Sequence, residues 1–429
     1  MANTLLQNIK NKKATVAVVG LGYVGIPTIL ALVDAGIKVI GIDVNKERIK
    51  QLKAGRSFIK EISDEKIKNS LKRFTPTTKW GEISKARVIL IAVPTPLDKN
   101  KAPDTSFIKL ASENIAKYLK RDSLVVLEST TYPGTTEEIV LPILEKSGLK
   151  SKKDFYLAFA PERVDPGNKK YTLSDIPKVI GGIEKKSTEV AAAFYSTFLR
   201  SVHKVSSART AEMTKLLENI FRLVNISLVN ELKMISSKMD IDFWEVIEAA
   251  KTKPYGFMPF YPGPGVGGHC IPLDPFYLSW KAREYDFFTR FIDLAGEIND
   301  LMPHNVITTI NWMLNKNKKS IKGSKILILG VAYKKDIDDP RESAAMPIIL
   351  DLLRKGARVF YNDPHIAKIN IKGKVFKSSP LTKSLVKSAD CVVILTDHSV
   401  YDYRMIEKNA KLIVDTRHAI KKKSPKIFS

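Results

Sequence analysis

The stretch Ala14-Thr15-Val16-Ala17-Val18-Val19-Gly20 leads directly into Leu21-Gly22-Tyr23-Val24-Gly25, and together they decide the fold. A short β-branched run of this kind is typical of a strand buried on both faces of a parallel sheet. The G-x-G-x-x-G pattern ends that strand and opens a helix. Its first glycine makes a tight turn, its second lets a pyrophosphate approach backbone N–H groups, and its third lets the helix pack on the strand. The sequence therefore predicts a dinucleotide-binding loop formed by Gly20, Leu21, Gly22, Tyr23, Val24 and Gly25.

An acidic residue at the end of the next strand indicates which dinucleotide is bound. Asp43 closes the strand-like run KVIGID, 18 residues past the last glycine of the loop. A carboxylate at this place can hold ribose hydroxyls and would repel a 2′-phosphate, so the sequence predicts NAD rather than NADP. Arg48, one turn into the following helix, either faces the adenosine or is an ordinary surface arginine.

Strand-like and helical segments alternate along the chain in three parts. The first 200 residues predict a doubly wound α/β domain that binds NAD. Residues 201–315 contain Thr210–Met239, which has apolar residues at helical spacing and no Pro or Gly, and so predicts one long helix suited to a spine or a dimer interface. Residues 316–429 repeat the strand, glycine, helix, strand and acid pattern. We expect an α/β protein with two Rossmann-like doubly wound domains joined by a long helical spine.

The composition limits the classes of protein to which this chain can belong. The chain has 429 residues, with 70 Lys and Arg against 45 Asp and Glu, a formal net charge of +25. The lysines are dispersed, and no nucleic-acid-binding motif accompanies them, so they predict a solvated surface that an anionic small substrate partly uses. No apolar run reaches the ~18–20 residues that cross a bilayer, and Met1–Lys13 lacks the features of a secretory signal. We expect a soluble cytoplasmic protein that binds neither nucleic acid nor membrane.

Two short motifs end strand-like runs of the first domain. They are Val93-Pro94-Thr95-Pro96 and Glu128-Ser129-Thr130-Thr131. Ligands of open α/β sheets lie beyond the carboxyl ends of strands, so these small hydroxyl residues are candidates to reach a nicotinamide or a water. Thr and Pro also end strands for purely structural reasons. The candidates are Thr95, Ser129 and Thr130.

The segment from Gly263 to Asp274, GPGVGGHCIPLD, is the most unusual of the chain. Its glycines allow a close approach of backbone to ligand, and Cys270 follows them directly, four residues before a carboxylate. This position favours a nucleophile over a core thiol. His269 is adjacent to the cysteine and adjacent side chains usually diverge, which argues against a Cys–His pair. Cys391, in an apolar run, is expected to be buried and inert. Scattered His and lone Cys residues predict no metal site.

Taken together, these motifs resemble the UDP-glucose/GDP-mannose dehydrogenase family over nearly the whole chain. The resemblance implies NAD-dependent oxidation of a sugar nucleotide at C6, from alcohol to acid, through a cysteine thiohemiacetal and a thioester. The matching motifs begin at these positions: GLGYVG at Gly20, VPTP at Val93, EST at Glu128, APER at Ala160, EMTKLLEN at Glu212, GGHCIPLD at Gly267, AYKKDIDDPRES at Ala332 and DTR at Asp415.

The resemblance also implies roles for individual residues in catalysis. Cys270 is the nucleophile, and Lys215 and Asn219, one turn apart on the long helix, face the developing oxyanion. Asp274 and Thr130 position the water that hydrolyses the thioester, and Glu162 lies near both substrate and water. The proton acceptor of the first oxidation is either Lys215 or a water held by Asp274.

Binding roles follow from the same resemblance. The second α/β domain holds UDP, and Arg341 reaches the cofactor side. The protein is expected to form a homodimer through its spine. The substrate-binding residues implied are Glu162, Arg163, Val164, Lys215, Asn219, Tyr261, Gly265, Gly267, Tyr333, Lys334 and Arg417.

The stretch that starts at Tyr261 is most similar to the branch of the family that acts on UDP-N-acetylhexosamines. We expect UDP-N-acetylglucosamine as substrate, for surface polysaccharide or glycan synthesis, with UDP-N-acetylmannosamine as the alternative and UDP-glucose as a more distant one. An arginine that precedes the glycine loop in UDP-glucose enzymes has no clear counterpart, since Lys253 and Pro254 stand near its place. A β-hydroxyacid dehydrogenase would lack the Cys270 segment and the second α/β domain, and a non-catalytic sensor would lack the cysteine.

Overall fold

The computed structural model describes residues 2–98, 101–165, 171–268 and 270–429. These divide into two compact units. The first comprises Met1–Glu218 and Phe276–Phe287, and the second comprises Asn219–Pro275 and Phe288–Ser429. Each unit is built around its own sheet, which is mostly parallel in the first unit and parallel in the second, as the duplicated sequence pattern predicts.

The first unit contains an eight-stranded sheet in the order β3-β2-β1-β4-β5-β6-β7-β8. All neighbours pair in parallel except β6 and β7, which are antiparallel. The sequence predicts β1, β2, β4, β5 and β6, whereas β3, β7 and β8 were not anticipated. The strands are β1 (Val16–Val19), β2 (Val39–Ile42), β3 (Phe74–Thr77), β4 (Val88–Ile91), β5 (Ser123–Leu127), β6 (Phe155–Phe159), β7 (Lys178–Gly182) and β8 (Val202–Lys204).

Helices cover both faces of this sheet. Alternate residues of β1 enter different apolar clusters, Val16 and Val18 on one face and Ala17 and Val19 on the other. This two-sided burial explains why the central strands are continuous apolar runs rather than alternating ones. The helices are α1 (Ala2–Lys10), α2 (Gly25–Asp34), α3 (Lys46–Lys53), α4 (Asp64–Ser70), α5 (Ser106–Tyr118), α6 (Leu141–Glu145) and α7 (Lys185–Tyr195), with short 3₁₀ helices at Trp80–Lys85 and Leu173–Asp175 and a π-helical turn at Thr136–Val140.

Four helices form the middle of the chain. The predicted spine is α8 (Ala208–Lys238), a continuous helix of 31 residues that begins in the first unit and ends in the second. It is followed by α9 (Phe243–Ala250), α10 (Asp274–Ala282) and α11 (Arg290–Lys316), and a short 3₁₀ helix lies at Arg283–Tyr285. The described residues between α9 and α10 form neither helix nor strand, as the density of Pro and Gly predicts.

The second unit contains a five-stranded parallel sheet in the order β10-β9-β13-β14-β15, with apolar clusters on both faces. An antiparallel hairpin, β11 with β12, accompanies it. Its strands are β9 (Lys325–Leu329), β10 (Arg358–Asn362), β11 (Lys368–Ile371), β12 (Lys374–Lys377), β13 (Cys391–Ile394), β14 (Ile413–Asp415) and β15 (Ile427–Phe428), and its remaining helices are α12 (Ala345–Arg354), α13 (Lys383–Ser388) and α14 (Tyr403–Asn409).

The expected fold class is confirmed: each of the two units carries a Rossmann-like α/β sheet, and α8 runs from one unit into the other. Across the described ranges, every helix is too short or too polar to cross a membrane.

Candidate active site

The glycine loop of the first unit has the geometry that a dinucleotide requires. Gly20 has a φ of +97°, in the left-handed region that favours glycine, and a Cβ there would collide with the carbonyl oxygen of Ala92. A Cβ at Gly25 would collide with the carbonyl oxygen of Gly20. In contrast, a Cβ at Gly22 would meet no atom within 4 Å, so this backbone is open to a ligand. The residues present therefore fit a bound pyrophosphate at the N-terminus of α2.

Asp43 stabilises this loop through hydrogen bonds to its backbone. Its carboxylate accepts hydrogen bonds from the backbone N–H of Leu21 (2.9 Å) and of Asn45 (2.8 Å), and it is buried. Arg48 lies 3.6 Å from the same carboxylate and keeps an exposed side chain. Asp43 thus fixes the turn of the loop, a role that the sequence did not suggest. Its remaining lone pairs are those available to ribose hydroxyls.

The hydroxyl groups at the ends of β4 and β5 tie these strands together. Thr95 donates its hydroxyl proton to the carbonyl oxygen of Thr130 (2.8 Å), and Ser129 donates to that of Val93 (2.8 Å). The phenol of Tyr277, on α10, donates to the carbonyl oxygen of Thr95. Because both hydroxyl protons are committed to the main chain, Thr95 and Ser129 can present only acceptor lone pairs to a ligand.

Glu162, which follows β6, is held on both of its carboxylate oxygens. Oε1 accepts hydrogen bonds from the backbone N–H of Arg163 and of Val164, both 2.7 Å, and Oε2 lies 3.2 Å from the ammonium of Lys178 on β7. Burial favours the neutral acid, but Lys178 and the two N–H groups outweigh burial and hold the pKa of Glu162 below its usual value. Glu162 is therefore an anchored anion near neutral pH.

Lys178 links Glu162 to a second buried carboxylate. Its Nζ lies 3.2 Å from Glu128 Oε1, and Tyr195 donates its phenol proton to the same oxygen (2.6 Å). Burial favours the neutral amine, but Glu128 and Glu162 hold the pKa of Lys178 above its usual value. Burial, reinforced by Glu128, raises the pKa of Tyr195 well above its usual value. The sequence motifs named both glutamates but gave no sign of this shared lysine.

Hydrogen bonds of Glu212 fix the start of α8 to the segment that follows β5. Glu212 accepts hydrogen bonds from Gly134 N (2.6 Å), Thr136 N (2.9 Å) and Thr136 Oγ1 (2.6 Å). Burial raises the pKa of Glu212 to about 7, against these hydrogen bonds, which favour the ionised form. One turn further, Lys215 is only 8% exposed, and it forms no hydrogen bond or ion pair with the described part of the chain. A nearly buried ammonium of this kind is suited to an anionic ligand.

In the second unit, Cys270 lies at the entrance to α10. The backbone N–H of Asp274, the first residue of that helix, donates to the carbonyl oxygen of Cys270 (2.8 Å). The Asp274 carboxylate is buried and accepts a hydrogen bond from Asn219 Nδ2 (2.7 Å). Cys270 itself is exposed, whereas burial raises the pKa of the Cys391 thiol to about 12. His269 lies outside the described residues.

Side chains and backbone of the second unit shape the glycine segment before Cys270. Asn230 Oδ1 accepts from Gly263 N (2.9 Å), and Asn299 Oδ1 accepts from Val266 N (2.5 Å). The carbonyl oxygen of Arg341 accepts from Gly268 N (3.1 Å). Built Cβ atoms at Gly267 and Gly268 would lie 2.7–2.8 Å from Tyr333, so only glycine permits this approach. The predicted substrate residue Tyr333 therefore packs against the glycine segment, which contains two further predicted substrate residues, Gly265 and Gly267.

Asp363 supports the Tyr333 segment as Asp43 supports the first glycine loop. Its Oδ2 accepts from the backbone N–H of Val331 (2.7 Å) and Ala332 (3.1 Å). Tyr333 and Lys334 therefore directly follow a turn that the Asp363 carboxylate stabilises by two hydrogen bonds. Arg341, predicted to face the cofactor, pairs with Asp339 within the second unit at 2.6–2.9 Å.

A cavity of about 620 Å³ in the second unit includes two predicted substrate residues, Tyr261 and Arg417. The indole of Trp244 stacks on the ring of His418 (centroids 4.8 Å apart) and on that of Tyr261 (6.2 Å). Arg417 donates from Nε to the carbonyl oxygen of Leu395 (2.9 Å). Aromatic walls beside a guanidinium suit a flat ring that carries an anionic group. Neither Trp244 nor His418 was predicted, since both residue types are common in cores.

Asp336, His365 and His398 of the second unit bring three potential metal ligands together, which the sequence did not anticipate. His398 Nδ1 accepts from Asp336 N (3.0 Å), however, and its Nε2 lies 3.1 Å from Asp363. Both ring nitrogens of His398 are thus committed within the protein, so we assign no metal to this group.

Models of three domains of one family match the chain in order. The UDP-glucose/GDP-mannose dehydrogenase family, NAD binding domain, matches residues 14–199; the central domain matches residues 209–301; and the UDP binding domain matches residues 327–422.

Relatives and solved structures match over the same length. Protein CapL of Staphylococcus aureus is 39% identical over 94% of this chain and 96% of its own. UDP-N-acetyl-D-glucosamine 6-dehydrogenase of Pseudomonas aeruginosa is 35% identical over 94% of each chain. The structure of a UDP-D-ManNAc dehydrogenase from Pyrococcus horikoshii matches with a TM-score of 0.87 and 34% identity, over 95% of this chain and 96% of that one.

Proposed function

Because this chain belongs to the UDP-glucose/GDP-mannose dehydrogenase family and is an NAD-dependent oxidoreductase of nucleotide sugars, we propose that it is a UDP-N-acetyl-D-glucosamine 6-dehydrogenase. The observation that carries the proposal is the exposed Cys270, whose backbone turn leads into a buried Asp274 held by Asn219. The proposal assigns NAD to residues 1–200, the nucleophile and the dimer contact to residues 201–315, and UDP to residues 316–429.

Cys270 makes the second of the two oxidations possible. An aldehyde is a poor hydride donor, whereas its adduct with a thiolate, a thiohemiacetal, donates hydride and becomes a thioester. The loop from Gly20 to Gly25, with Asp43, would hold NAD, which would supply the hydride acceptor for each oxidation. Cys270 then retains the acyl group until water cleaves the C–S bond, which releases the acid and restores the thiol.

Lys215 and Asn219 stabilise charge on the sugar oxygen. They lie one turn apart on α8, and both are only 8% exposed. The Lys215 ammonium has no counter-ion within the described residues, so the oxyanion of the thiohemiacetal supplies one. One N–H of Asn219 is committed to Asp274, which leaves the other for the substrate.

Asp274, Thr130 and Glu162 are assigned to the hydrolytic step. Asp274 is fixed by Asn219 and orients a water or accepts its proton, while Thr130 offers a hydroxyl. Glu162 contributes a fixed negative charge beside Arg163 and Val164, rather than a strong base, because its pKa is lowered.

The nucleotide part of the substrate is assigned to the second unit. Tyr261 and Arg417 line the cavity described above, and Tyr333 and Lys334 follow a turn whose backbone N–H groups donate to Asp363. Aromatic rings suit the base, and the cationic groups suit the diphosphate.

UDP-N-acetylglucosamine is expected to be the preferred substrate, since the stretch that begins at Tyr261 resembles the branch that acts on UDP-N-acetylhexosamines and is most similar to its UDP-N-acetylglucosamine enzymes. Purified protein with NAD and each of three UDP-sugars, followed by NADH formation, tests this. We expect UDP-N-acetylglucosamine to give the highest kcat/KM and UDP-glucose to be poor. Exclusive turnover of UDP-N-acetylmannosamine, the substrate class of the P. horikoshii relative, would move the assignment to that epimer. Preference for UDP-glucose would refute the argument from the loop.

NAD is expected to be preferred over NADP at least ~10-fold in kcat/KM, about 1.4 kcal/mol, because the buried Asp43 carboxylate would face a 2′-phosphate. Asp43→Ala should narrow this gap, chiefly by weakening NAD, since it removes both the ribose acceptor and the support of Leu21. Glu47→Ala removes an equal charge from the exposed first turn of α3 and is the matched control. Equal kcat/KM values for the two cofactors in the unaltered protein would contradict the assignment.

A homodimer and a cytoplasmic location are part of the proposal. A stripe of exposed apolar residues runs along α8 at spacings of three, four and seven residues, the pattern of a helix–helix seam. A reducing compartment keeps the thiol of a nucleophilic cysteine available. The members of the stripe are Met213, Leu217, Phe221, Leu228, Leu232 and Ile235.

A further inference from the structure

The described part of the first unit contains a buried lysine that the reaction scheme above does not use. Lys178 begins β7, and its side chain is 5% exposed. Its ammonium lies 3.2 Å from Glu128 at the end of β5 and 3.2 Å from Glu162 beyond the end of β6. Both glutamates thus reach one nitrogen at the carboxyl edge of the sheet, the edge at which ligands of this fold bind.

Without this ammonium, Glu162 would be a buried carboxylate close to a second buried carboxylate, Glu128. Burial and a neighbouring negative charge both disfavour the ionised form, so the pKa of Glu162 would rise. Glu128 Oε1 already accepts the Tyr195 phenol proton, while Glu128 Oε2 is buried with no hydrogen-bond partner among the described atoms. Among the described residues, Lys178 supplies the ammonium that pairs with both Glu128 and Glu162, whereas the neighbouring Arg163 is paired with Glu218 on α8 (2.6 Å).

The position of Glu162 depends on its charge. As a carboxylate it accepts from the backbone N–H of both Arg163 and Val164, and these hydrogen bonds hold the backbone directly after Glu162. Arg163 is further fixed by Glu218 and by the carbonyl oxygen of Pro177 (2.6 Å). A protonated Glu162 would accept these hydrogen bonds less strongly, and the backbone of Arg163 and Val164 would be held less firmly.

We infer that Lys178 is a positioning residue: by neutralising Glu128 and Glu162 together, it keeps Glu162 as the carboxylate that holds the backbone of the Glu162–Val164 segment. This inference rests on the proposed function, because that segment is assigned to the sugar nucleotide. Lys178 touches neither substrate nor cofactor in this account, and it acts through Glu162 alone.

Lys178→Met tests the inference through the pH dependence of kcat/KM for UDP-sugar oxidation. Loss of the ammonium raises the pKa of Glu162, so the acid limb of the profile should move upward by about one pH unit or more. Lys178→Arg retains the charge and should restore the limb to near its original position. An unchanged profile in Lys178→Met would overturn the inference.

Lys281→Met is the matched control. Lys281 is a lysine of the same unit that is also nearly buried, and it also bridges two carboxylates, Glu138 (2.7 Å) and Glu284 (2.5 Å). Its removal should lower stability while leaving the acid limb in place, since neither Glu138 nor Glu284 forms an ion pair or hydrogen bond with Glu162. An equal shift in Lys281→Met would show that the effect is general rather than specific to Lys178, and would overturn the inference.

Thermal unfolding at several pH values provides a readout that needs no activity. In the unaltered protein the pKa of Glu162 is lowered, so its contribution to stability is lost as pH falls through that pKa. In Lys178→Met the pKa is raised, so the variant gains stability relative to the unaltered protein as pH falls from about 8 to about 5. If the unaltered protein oxidised no UDP-sugar, the proposed function would fail. The same measurement on Glu128→Gln and on Glu128→Gln/Lys178→Met, in which Glu162 is the carboxylate left beside residue 178, would still show whether Lys178 keeps Glu162 ionised.

If Lys178→Met does not fold, Glu128→Gln/Lys178→Met is the second variant. The glutamine removes one of the two buried charges and should restore folding, while Glu162 still lacks its ammonium. The raised acid limb should therefore persist in this double variant. A double variant that folds with an unshifted limb and an unshifted pH dependence of unfolding would contradict the inference.

Discussion

Cys270→Ala is expected to abolish formation of the uronic acid, with a loss in kcat on the order of 10³-fold or more. The thiolate is the only proposed route from aldehyde to thioester, and alanine cannot form that bond. Binding of NAD should be preserved, because the glycine loop from Gly20 to Gly25 belongs to a different compact unit. Product analysis measures the first effect, and the NAD-dependent rise in Tm measures the second.

Cys391→Ala is the matched control for this variant. Cys391 is buried at the start of β13, with a raised pKa, so its loss should affect stability more than turnover. Cys270→Ser is expected to trap an acyl ester, since an alkoxide is a poorer leaving group than a thiolate. Sustained production of uronic acid by Cys270→Ala at a near-normal rate would remove Cys270 from the mechanism.

Lys215→Met is expected to lower kcat by about 10²–10³-fold, the loss typical of removing one group that stabilises an oxyanion. The side chain is nearly buried and lacks a counter-ion within the described residues, so it makes no stabilising ion pair that the substitution would break. The fold should therefore tolerate the change, and Tm should fall little. Steady-state kinetics together with a thermal melt separate the two effects.

Lys238→Met, near the end of the same helix, is the control for loss of a lysine from α8. Lys238 is exposed, so its replacement should leave kcat close to that of the unaltered protein. A Lys215→Met variant with normal kcat but raised KM would mean that Lys215 binds substrate uniformly rather than stabilising the transition state. The oxyanion role would then be abandoned.

The fold could be predicted from the sequence where burial on both faces leaves a continuous apolar run. The strands that lead to Gly20 and Gly330 have this pattern. The turn after each strand donates a backbone N–H to an acid that directly follows the next strand, Asp43 or Asp363. The long α8 was predicted because no Pro or Gly interrupts it. Strand β7 was not predicted, because Lys178 at its start and the two glycines at its end interrupt the apolar pattern. Its antiparallel pairing with β6 is set by tertiary packing.

The motifs of the candidate site could be predicted from the sequence, but the contacts between its residues could not. Motif spacing identified Glu128 and Glu162, yet the lysine that bridges them lies 16 residues beyond Glu162 and carries no local signal. The hydroxyls of Thr95 and Ser129 stay candidates to face a ligand, but no sequence signal indicated that their protons join the strand ends. Such hydrogen bonds depend on which strands become neighbours, and a single sequence does not encode this locally.

The most direct test of the account is the stoichiometry of the complete reaction. Limiting UDP-N-acetylglucosamine is incubated with excess NAD and the unaltered protein, and NADH is counted against sugar consumed. The account predicts two NADH for each sugar, with a carboxylate at C6 and no aldehyde released, because Cys270 retains the intermediate between the two oxidations. One NADH for each sugar, with free aldehyde as the product, would contradict the covalent scheme.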